Sequence, residues 1–495
     1  MNESKTYKNY IGGEWVESAT GATFNSINPA NKEEILVKLQ KSDEKDGDMA
    51  VDAAEDAFEK WSSMPAPKRG EILFKAAMIL EEQKEELAKT MTKEMGKILI
   101  ETRGDVQEAI DIIKLMAGEG RRLYGHTTPS ELSNKFCMTI NLPVGIVALI
   151  TPWNFPMAIP AWKIAPALIA GNTIVFKPAS DTPLCAIKLV EIFEKAGIPK
   201  GVLNIVTGSG TSVGMPLVKH KKIRGISFTG SVETGQIITK EAGLKRVGLE
   251  LGGKNVIIVM DDANIDLAVN GAIWGGFGTT GQRCTAASRI VVHEKVVDKF
   301  TEKFVERAKK LKVGDGLDPE TEMGPVINES QLKKIHKYTE IGKEEGATLL
   351  TGGKIRTEGK FTQGFFYEPT IFSDVTKDMT IAQDEIFGPT VAIMAAENLE
   401  EAIHIANSVE YGLSSSIYTE SINNAFKAIE KIEAGLTYVN SSTIGSEVHL
   451  PFGGVKNTGN GTREGGIKGI EEFVETKTAY IDYSGRLQRA QIDIE

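Results

Sequence analysis

Cys284 stands in FGTTGQRCTAASR (residues 277–289), among glycines, threonines and alanines rather than among large apolar residues. Small neighbours leave a thiol within reach of a ligand, and a thiolate is the strongest ready nucleophile among side chains. Cys137 in KFCMTINL and Cys185 in LCAIKLVEIFEKAG read instead as packed residues. Taken alone, Cys284 reads equally as an inert thiol in a tight helix start. Glu250 lies in LELGGKN, where flanking leucines would desolvate its carboxylate and raise its basicity, as a general base requires. Its alternative is a strand-end glutamate facing water. Asn154 lies in TPWNFP, between Trp153 and Phe155 and with a proline on each side. A rigidly held amide can donate to a developing oxyanion; the alternative is a turn asparagine bonding its own backbone. No cluster has metal-ligand spacing, so metal-free chemistry is expected.

A second set of residues suggests a phosphate-bearing cofactor. Gly208, Gly210 and Gly214 follow the run VLNIVT as G-x-G-x-x-x-G, one residue longer than the usual dinucleotide fingerprint. Gly230 and Ser231 follow the run GISF and open a helix, where amides and a hydroxyl could hold a pyrophosphate. Lys177, before Pro178 in FKPAS, ends the run NTIVF and could reach a ribose or phosphate; its alternative is a solvated loop lysine. Glu385 leads into Phe387, Gly388 and Pro389 in AQDEIFGP, an acidic pair before a common turn.

The elements that must position these residues alternate. To about residue 125 the chain reads as a short hairpin, YIGGEWVES, followed by amphipathic helices such as RGEILFKAAMILEEQKEELAKTMTKEMG. From about 145, the apolar runs GIVALIT, NTIVFK, VLNIVTG and GISFTGS alternate with helical segments. A second series runs from KNVIIVMDD through SRIVVHEK, TEKFVERAKKL and PTVAIMAA to LEEAIHIANS. Strands alternating with helices predict parallel sheets, here in two α/β domains. The tail FVETKTAYIDYSGRLQ reads as a strand, docked on its own chain or paired with another subunit. Phe136 to Trp162 carries no charge, but Pro143, Pro152, Pro156 and Pro160 interrupt it. That pattern predicts strand, turn and loop rather than a membrane span.

The 495 residues suggest two or three domains, and 41% hydrophobic with 25% charged residues is ordinary for a globular protein. A net charge of −10 without a basic run argues against nucleic acid and anionic membranes as partners. Three widely spaced cysteines and a polar start without an apolar signal core predict a cytoplasmic protein.

The segments TPWNFP, FKPAS, FTGS, LELGGK, GQRC, EIFGP and PFGG occur in the order and approximate spacing of the NAD(P)-dependent aldehyde dehydrogenase superfamily, and Glu250 and Cys284 are 34 residues apart, as in that family. The chain resembles it over nearly its whole length. The resemblance implies an α/β aldehyde dehydrogenase fold in three parts. These are a Rossmann-like cofactor domain (1–125 and 144–252), an α/β catalytic domain (253–457) and a small β oligomerisation arm (126–143 and 470–495), in a homodimer or homotetramer. It implies that Cys284 attacks a small aldehyde and that Asn154 and the Cys284 backbone N–H hold the oxyanion. Hydride then passes to the nicotinamide, and Glu250 activates water to hydrolyse the thioester. Lys177 would bind the adenosine ribose, Ser231 would face the pyrophosphate, and Glu385 would hold the nicotinamide ribose beside Phe387. Trp153 would line the cofactor cleft, with Gly210 and Gly230 on its glycine turns. Glu464, in GTREGG, matches a second family glutamate assigned to proton relay.

One position departs from the NAD-preferring pattern. Ser180 stands where many such members carry a glutamate that would repel a 2′-phosphate, so NADP is expected as the preferred cofactor, with NAD as the alternative. The pattern further resembles branches that oxidise carboxylate-bearing semialdehydes, such as 2-oxoglutarate semialdehyde. Arg283 then either contacts the substrate carboxylate or forms a structural pair, and NSSTIGSEVHLPFGG would form part of the substrate wall. Succinic semialdehyde, glyceraldehyde and plain aliphatic aldehydes remain alternatives. Three rivals differ in kind. A CoA-acylating enzyme would often lack a glutamate at 250. A binding protein would have lost Cys284, Asn154 or Glu250. A cysteine hydrolase would need a histidine partner, and the six histidines form no such motif.

Overall fold

The computed structural model describes residues 5–492. Residues 1–4 of the expected cofactor domain and 493–495 of the expected arm lie outside them. Two seven-stranded sheets dominate the fold. In the first, Arg246–Glu250, Ile223–Thr229, Ile146–Ile150, Thr173–Lys177 and Leu203–Ile205 lie side by side and parallel. The hairpin Asn9–Ile11 and Glu14–Val16 closes its edge in antiparallel pairing. Val147 and Leu149 enter one apolar cluster, while Ile146, Ala148 and Ile150 enter another on the opposite face. Burial on both faces explains why this strand is an unbroken apolar run.

Ile146–Ile150 and Ile223–Thr229 are neighbours, yet the chain leaves the first toward one side of the sheet and returns by the second on the other. Such a switch point opens a crevice beyond the strands' carboxyl ends. TPWNFP and FTGS are the segments that follow these two strands. The second sheet is ordered Thr348–Thr351, Thr370–Ser373, Thr390–Ala396, Ala287–His293, Asn255–Val259, Ser414–Tyr418, Leu436–Val439, parallel except for its first pair. Its strands also alternate between two clusters, Val256 and Ile258 against Ile257 and Val259.

The tail strand Val474–Asp482 pairs over its whole length with Lys135–Pro143 of the same chain, and Thr127–Pro129 completes a three-stranded sheet. Phe136, Ile140, Leu142, Tyr480 and Ile481 of this sheet are exposed.

Local structure departs from the sequence expectation in four places. Pro160 does not end the regular structure; it lies in the first turn of the buried helix Ala158–Ala170, which also contains Pro166. A first-turn proline lacks only an N–H that has no partner inside the helix. The helical stretch expected over 69–96 is two helices, Ala66–Glu82 and Lys84–Met95, parted at Gln83. A second hairpin, Thr23–Asn28 with Asn31–Gln40, was not foreseen. Cys284 sits in a turn rather than a helix start. Among the described residues no helix is long and apolar enough to cross a membrane, and none of the His, Cys, Asp and Glu groupings could hold a metal ion.

Candidate active site

The turn that carries Cys284 is fixed from several sides. Before it, the short helix Gly278–Gly281 holds Thr279 and Thr280 in the left-handed region, at φ 52° and 59°. The Thr279 amide donates to Glu101 Oε1 at 2.7 Å, a buried anchor from a distant helix. Behind it, Asn255 Nδ2 donates to the carbonyls of Cys284 and Ala286 at 2.7 and 2.9 Å. Such local strain persists only where surroundings over-determine it. Cys284 is partly exposed, whereas Cys137 and Cys185 are buried.

Two adjoining cavities meet at the sulfur. The first is lined by Glu250, Glu464, Glu108, Trp162, Arg283 and Phe452 as well as Cys284. The second is lined by Trp153, Asn154, Gly230, Ser231, Glu385 and Phe387 as well as Cys284. Burial pushes the Cys284 thiol up to about 12, and the nearby carboxylates of Glu385, Glu250 and Glu464 add to the effect.

Glu250 ends the strand Arg246–Glu250 and is buried, with both carboxylate oxygens lacking a hydrogen-bond partner. Burial, with Glu464 nearby, holds its carboxyl well above the usual range. A buried group without partners is costly unless a ligand or water completes it. Glu464 is ion-paired with the buried Lys163, which also donates to Ser227 Oγ at 2.8 Å. Asn154 is buried too; its Nδ2 donates to the Gln282 carbonyl at 3.1 Å, and its Oδ1 has no partner.

On the second cavity, Trp153 and Phe387 meet edge to face, with ring centroids 5.3 Å apart and planes at 90°. Phe387 adopts φ 59°, a strained value for an aromatic residue. The Gly253 amide donates to Glu385 Oε1 at 2.9 Å, and burial raises the Glu385 carboxyl. A Cβ at Gly252 would come within 2.3 Å of Glu385 Oε2, so a larger residue there would displace the Glu385 carboxylate. Ser231 caps the helix Val232–Ala242, accepting from the Thr234 amide at 3.3 Å.

Lys177, Ser180 and Gly210 do not line these two cavities. They belong to a neighbouring group at the ends of the same sheet. Lys177 Nζ donates to the carbonyls of Pro178 and Gly208 at 2.6 and 3.2 Å, and Ser180 Oγ donates to Gly208 at 3.0 Å. Lys177 is therefore a buried residue rather than a solvated one, and burial lowers its amine to about 8. Gly210 opens the turn Gly210–Gly214 that follows.

The features at the carboxyl ends of the first sheet's strands fit a dinucleotide. They comprise an open helix N-terminus at Ser231, a buried amine at Lys177, and an aromatic pair beside a carboxylate. Arg283 lines the first cavity, but Nε donates to Thr279 Oγ1 at 2.8 Å and Nη2 lies 3.3 Å from Glu101 Oε1. Gly445 and Ser446 also line that cavity, in the segment read as substrate wall. Sequence reasoning missed Lys163, although a lone charge inside AIPAWKIAPALIA was a visible signal. It also missed Glu108, which looks like any acidic residue of an amphipathic helix.

The profile of the aldehyde dehydrogenase family matches residues 15–479. An alpha-ketoglutarate semialdehyde dehydrogenase of Haloferax volcanii is 46% identical, covering 96% of this chain and 99% of its own length. An alpha-ketoglutaric semialdehyde dehydrogenase of Bacillus subtilis is 42% identical over 97% of this chain and 99% of its own. A crystal structure of betaine aldehyde dehydrogenase from Staphylococcus aureus in complex with NAD+ superposes with a TM-score of 0.95, at 38% identity, covering 97% of this chain and 96% of that one.

Proposed function

This chain belongs to the aldehyde dehydrogenase family and oxidises aldehydes with NAD(P), and we propose that Cys284, Glu250 and Asn154 carry the reaction. The Cys284 thiol gives its proton to water, Sγ bonds to the aldehyde carbon, and the C=O π bond breaks so that the carbonyl oxygen becomes an alkoxide. An amide nitrogen has two N–H groups. One of those on Asn154 is engaged by Gln282, which orients the side chain; the other, with the Cys284 backbone N–H, donates to the alkoxide. When bound, an oxidised nicotinamide would accept the hydride lost from that carbon as the alkoxide re-forms a C=O bond, which leaves a thioester on Cys284. Glu250 then takes a proton from water as the water oxygen attacks the thioester carbon. The C–S bond breaks, and the carboxylic acid leaves. Glu464, paired with Lys163 on the same cavity, receives the proton next. The observation that carries the reading is that Cys284 shares one cavity with Glu250 and the adjoining one with Asn154.

The residues proposed to hold the cofactor are Trp153, Gly230, Ser231, Glu385 and Phe387 around the second cavity, with Lys177, Ser180 and Gly210 at the adenosine end. Glu385 and Phe387 would receive the nicotinamide ribose. Preference for NADP is supported by two donors, Lys177 and Ser180, that meet at the Gly208 carbonyl, with Ser180 itself carrying no charge and Asp181 as the nearby carboxylate. We assign the substrate to carboxylate-bearing semialdehydes, 2-oxoglutarate semialdehyde first. The names of the two relatives and the guanidinium in the first cavity support this. A three-part division at 1–125 with 144–252, 253–457, and 126–143 with 470–495 agrees with the separate sheets. The exposed apolar residues of the three-stranded sheet support a homodimer or homotetramer, readable as mass by light scattering. Buried free thiols at Cys137 and Cys185 support a reducing, cytoplasmic setting.

The test is a panel of aldehydes and semialdehydes assayed with NAD and NADP. The wild-type enzyme should release free acid without CoA, and Cys284→Ala should bind cofactor but reduce none. Turnover by Cys284→Ala would overturn the assignment.

A further inference from the structure

The wall of the first cavity carries groups that the reaction itself does not use. Glu108, from the helix Leu99–Glu119, faces that cavity with Arg283, Trp162 and Phe155. Arg283 is held in place by Thr279 and Glu101, and its guanidinium lies over the rings of Phe155 and Trp274, 5.2 and 5.0 Å from their centroids. A guanidinium has five N–H donors, and these two partners leave Nη1 unclaimed. The Trp162 indole N–H, which faces Glu108, is buried without a hydrogen-bond partner of normal geometry. The cavity therefore presents donors to a ligand away from the reacting sulfur.

We propose that Arg283 and Glu108 together recognise the carboxylate end of the substrate, Arg283 through its free N–H groups and Glu108 through its carboxyl O–H. This rests on the semialdehyde reading above and deepens it. An anionic end group needs donors, and an ionised Glu108 would repel it. The surroundings of Glu108 favour the donor form. Burial pushes its carboxyl up to about 8, and the buried Asp105 adds to the effect against the opposing charges of Lys97 and Arg283. Tyr438, on the strand Leu436–Val439, also feels the Glu108 charge, and Glu464 and Glu250 line the same cavity. At neutral pH Glu108 is thus a neutral donor beside a fixed cation, a pairing suited to a 2-oxo carboxylate. A carboxylic acid can serve as donor wherever its site keeps it neutral.

The probes are 2-oxoglutarate semialdehyde, uncharged butanal and cationic 4-aminobutanal. The readout is the ratio of kcat/KM for the anionic aldehyde to that for butanal, taken within each variant so that a general loss of fold cancels. Glu108→Ala should lower this ratio roughly tenfold or more, the scale of a hydrogen bond to a charged group. Glu108→Gln, which keeps a donor, should restore most of it at pH 7. In the wild-type enzyme, KM for the anionic aldehyde should rise above about pH 8 as Glu108 ionises. In Glu108→Gln that rise should be absent; the other carboxylates of the cavity are the same in both proteins, so the difference isolates Glu108. An unchanged or raised ratio in Glu108→Ala overturns the proposal. A wild-type preference for 4-aminobutanal that Glu108→Ala removes also overturns it, in favour of a cation site. If the wild-type enzyme shows no preference for the semialdehyde over butanal, the substrate reading itself falls, and this proposal with it.

Discussion

Asn154 and Gln282 meet across the two large sheets' junction, Nδ2 donating to the Gln282 carbonyl at 3.1 Å. Gln282 lies two residues before Cys284 and is itself fixed, its Oε1 accepting from the Ile327 amide at 2.9 Å. The amide that would face the oxyanion is thereby tied to the backbone leading to the nucleophile. Asn154→Ala should lower kcat about 100- to 1,000-fold, the usual loss for one oxyanion donor. Steady-state kinetics with the best aldehyde, against cofactor affinity by fluorescence titration, separates this from a binding defect. A change of less than about threefold in kcat would remove Asn154 from the oxyanion site.

Glu250 should show two opposite effects when its charge is removed. Burial and nearby carboxylates keep the Cys284 thiol protonated, and Glu250 is among those carboxylates. In alkaline buffer, where Glu250 is ionised, Glu250→Gln should let iodoacetamide alkylate Cys284 faster, because one repelling charge has gone. The same variant should hydrolyse its thioester slowly, lowering kcat roughly 100- to 10,000-fold. Mass spectrometry of the enzyme during turnover should then show acyl adduct on Cys284. Unchanged alkylation with no adduct would mean that Glu250 acts on neither step.

Much of this site could be read from the chain because its parts are short, local and rich in glycine or proline. FTGS follows a strand and caps a helix; LELGGK ends a strand and turns; both are patterns that backbone geometry imposes within a few residues. The two apolar series were equally legible, since strands covered on both faces form uninterrupted apolar runs. Contacts made at long range were not. Glu108 and Cys284 are 176 residues apart, and nothing local marks the acid on an amphipathic helix as a cavity wall. Pro160 misled because proline's penalty depends on its position in a helix, which composition does not disclose. The solvated alternative for Lys177 could not be discarded locally, because the Gly208 carbonyl that accepts from its amine at 3.2 Å lies 31 residues further on.

Ser180 offers a direct test of cofactor choice. It is exposed, and its hydroxyl donates to the same Gly208 carbonyl that accepts from Lys177 Nζ. A carboxylate there would repel a 2′-phosphate while accepting from ribose hydroxyls. Ser180→Glu should therefore shift the ratio of kcat/KM for NAD over NADP upward by at least about tenfold, or 1.4 kcal/mol. An unmoved ratio would place discrimination elsewhere on the adenosine pocket.

Lys254 carries a stability prediction whose sign follows from its burial. It is 2% exposed, and its Nζ has no hydrogen-bond partner. Burial, with Arg289 nearby, lowers its amine from the usual 10.5 to about 7. Between these values the unfolded chain binds a proton that the folded chain does not, so stability rises with pH across that window. Below about 7 both states are protonated and the penalty is complete; above about 10.5 both are neutral and it vanishes. Lys254→Met has a similar shape and no charge to desolvate. It should be more stable than the wild-type protein at pH 7, by on the order of 2 kcal/mol. Urea midpoints taken from pH 7 to 10 should show that advantage shrinking steadily. A constant difference between the two proteins would mean that Lys254 keeps its proton when folded, held by Glu385 and Asp384, whose charges oppose the shift.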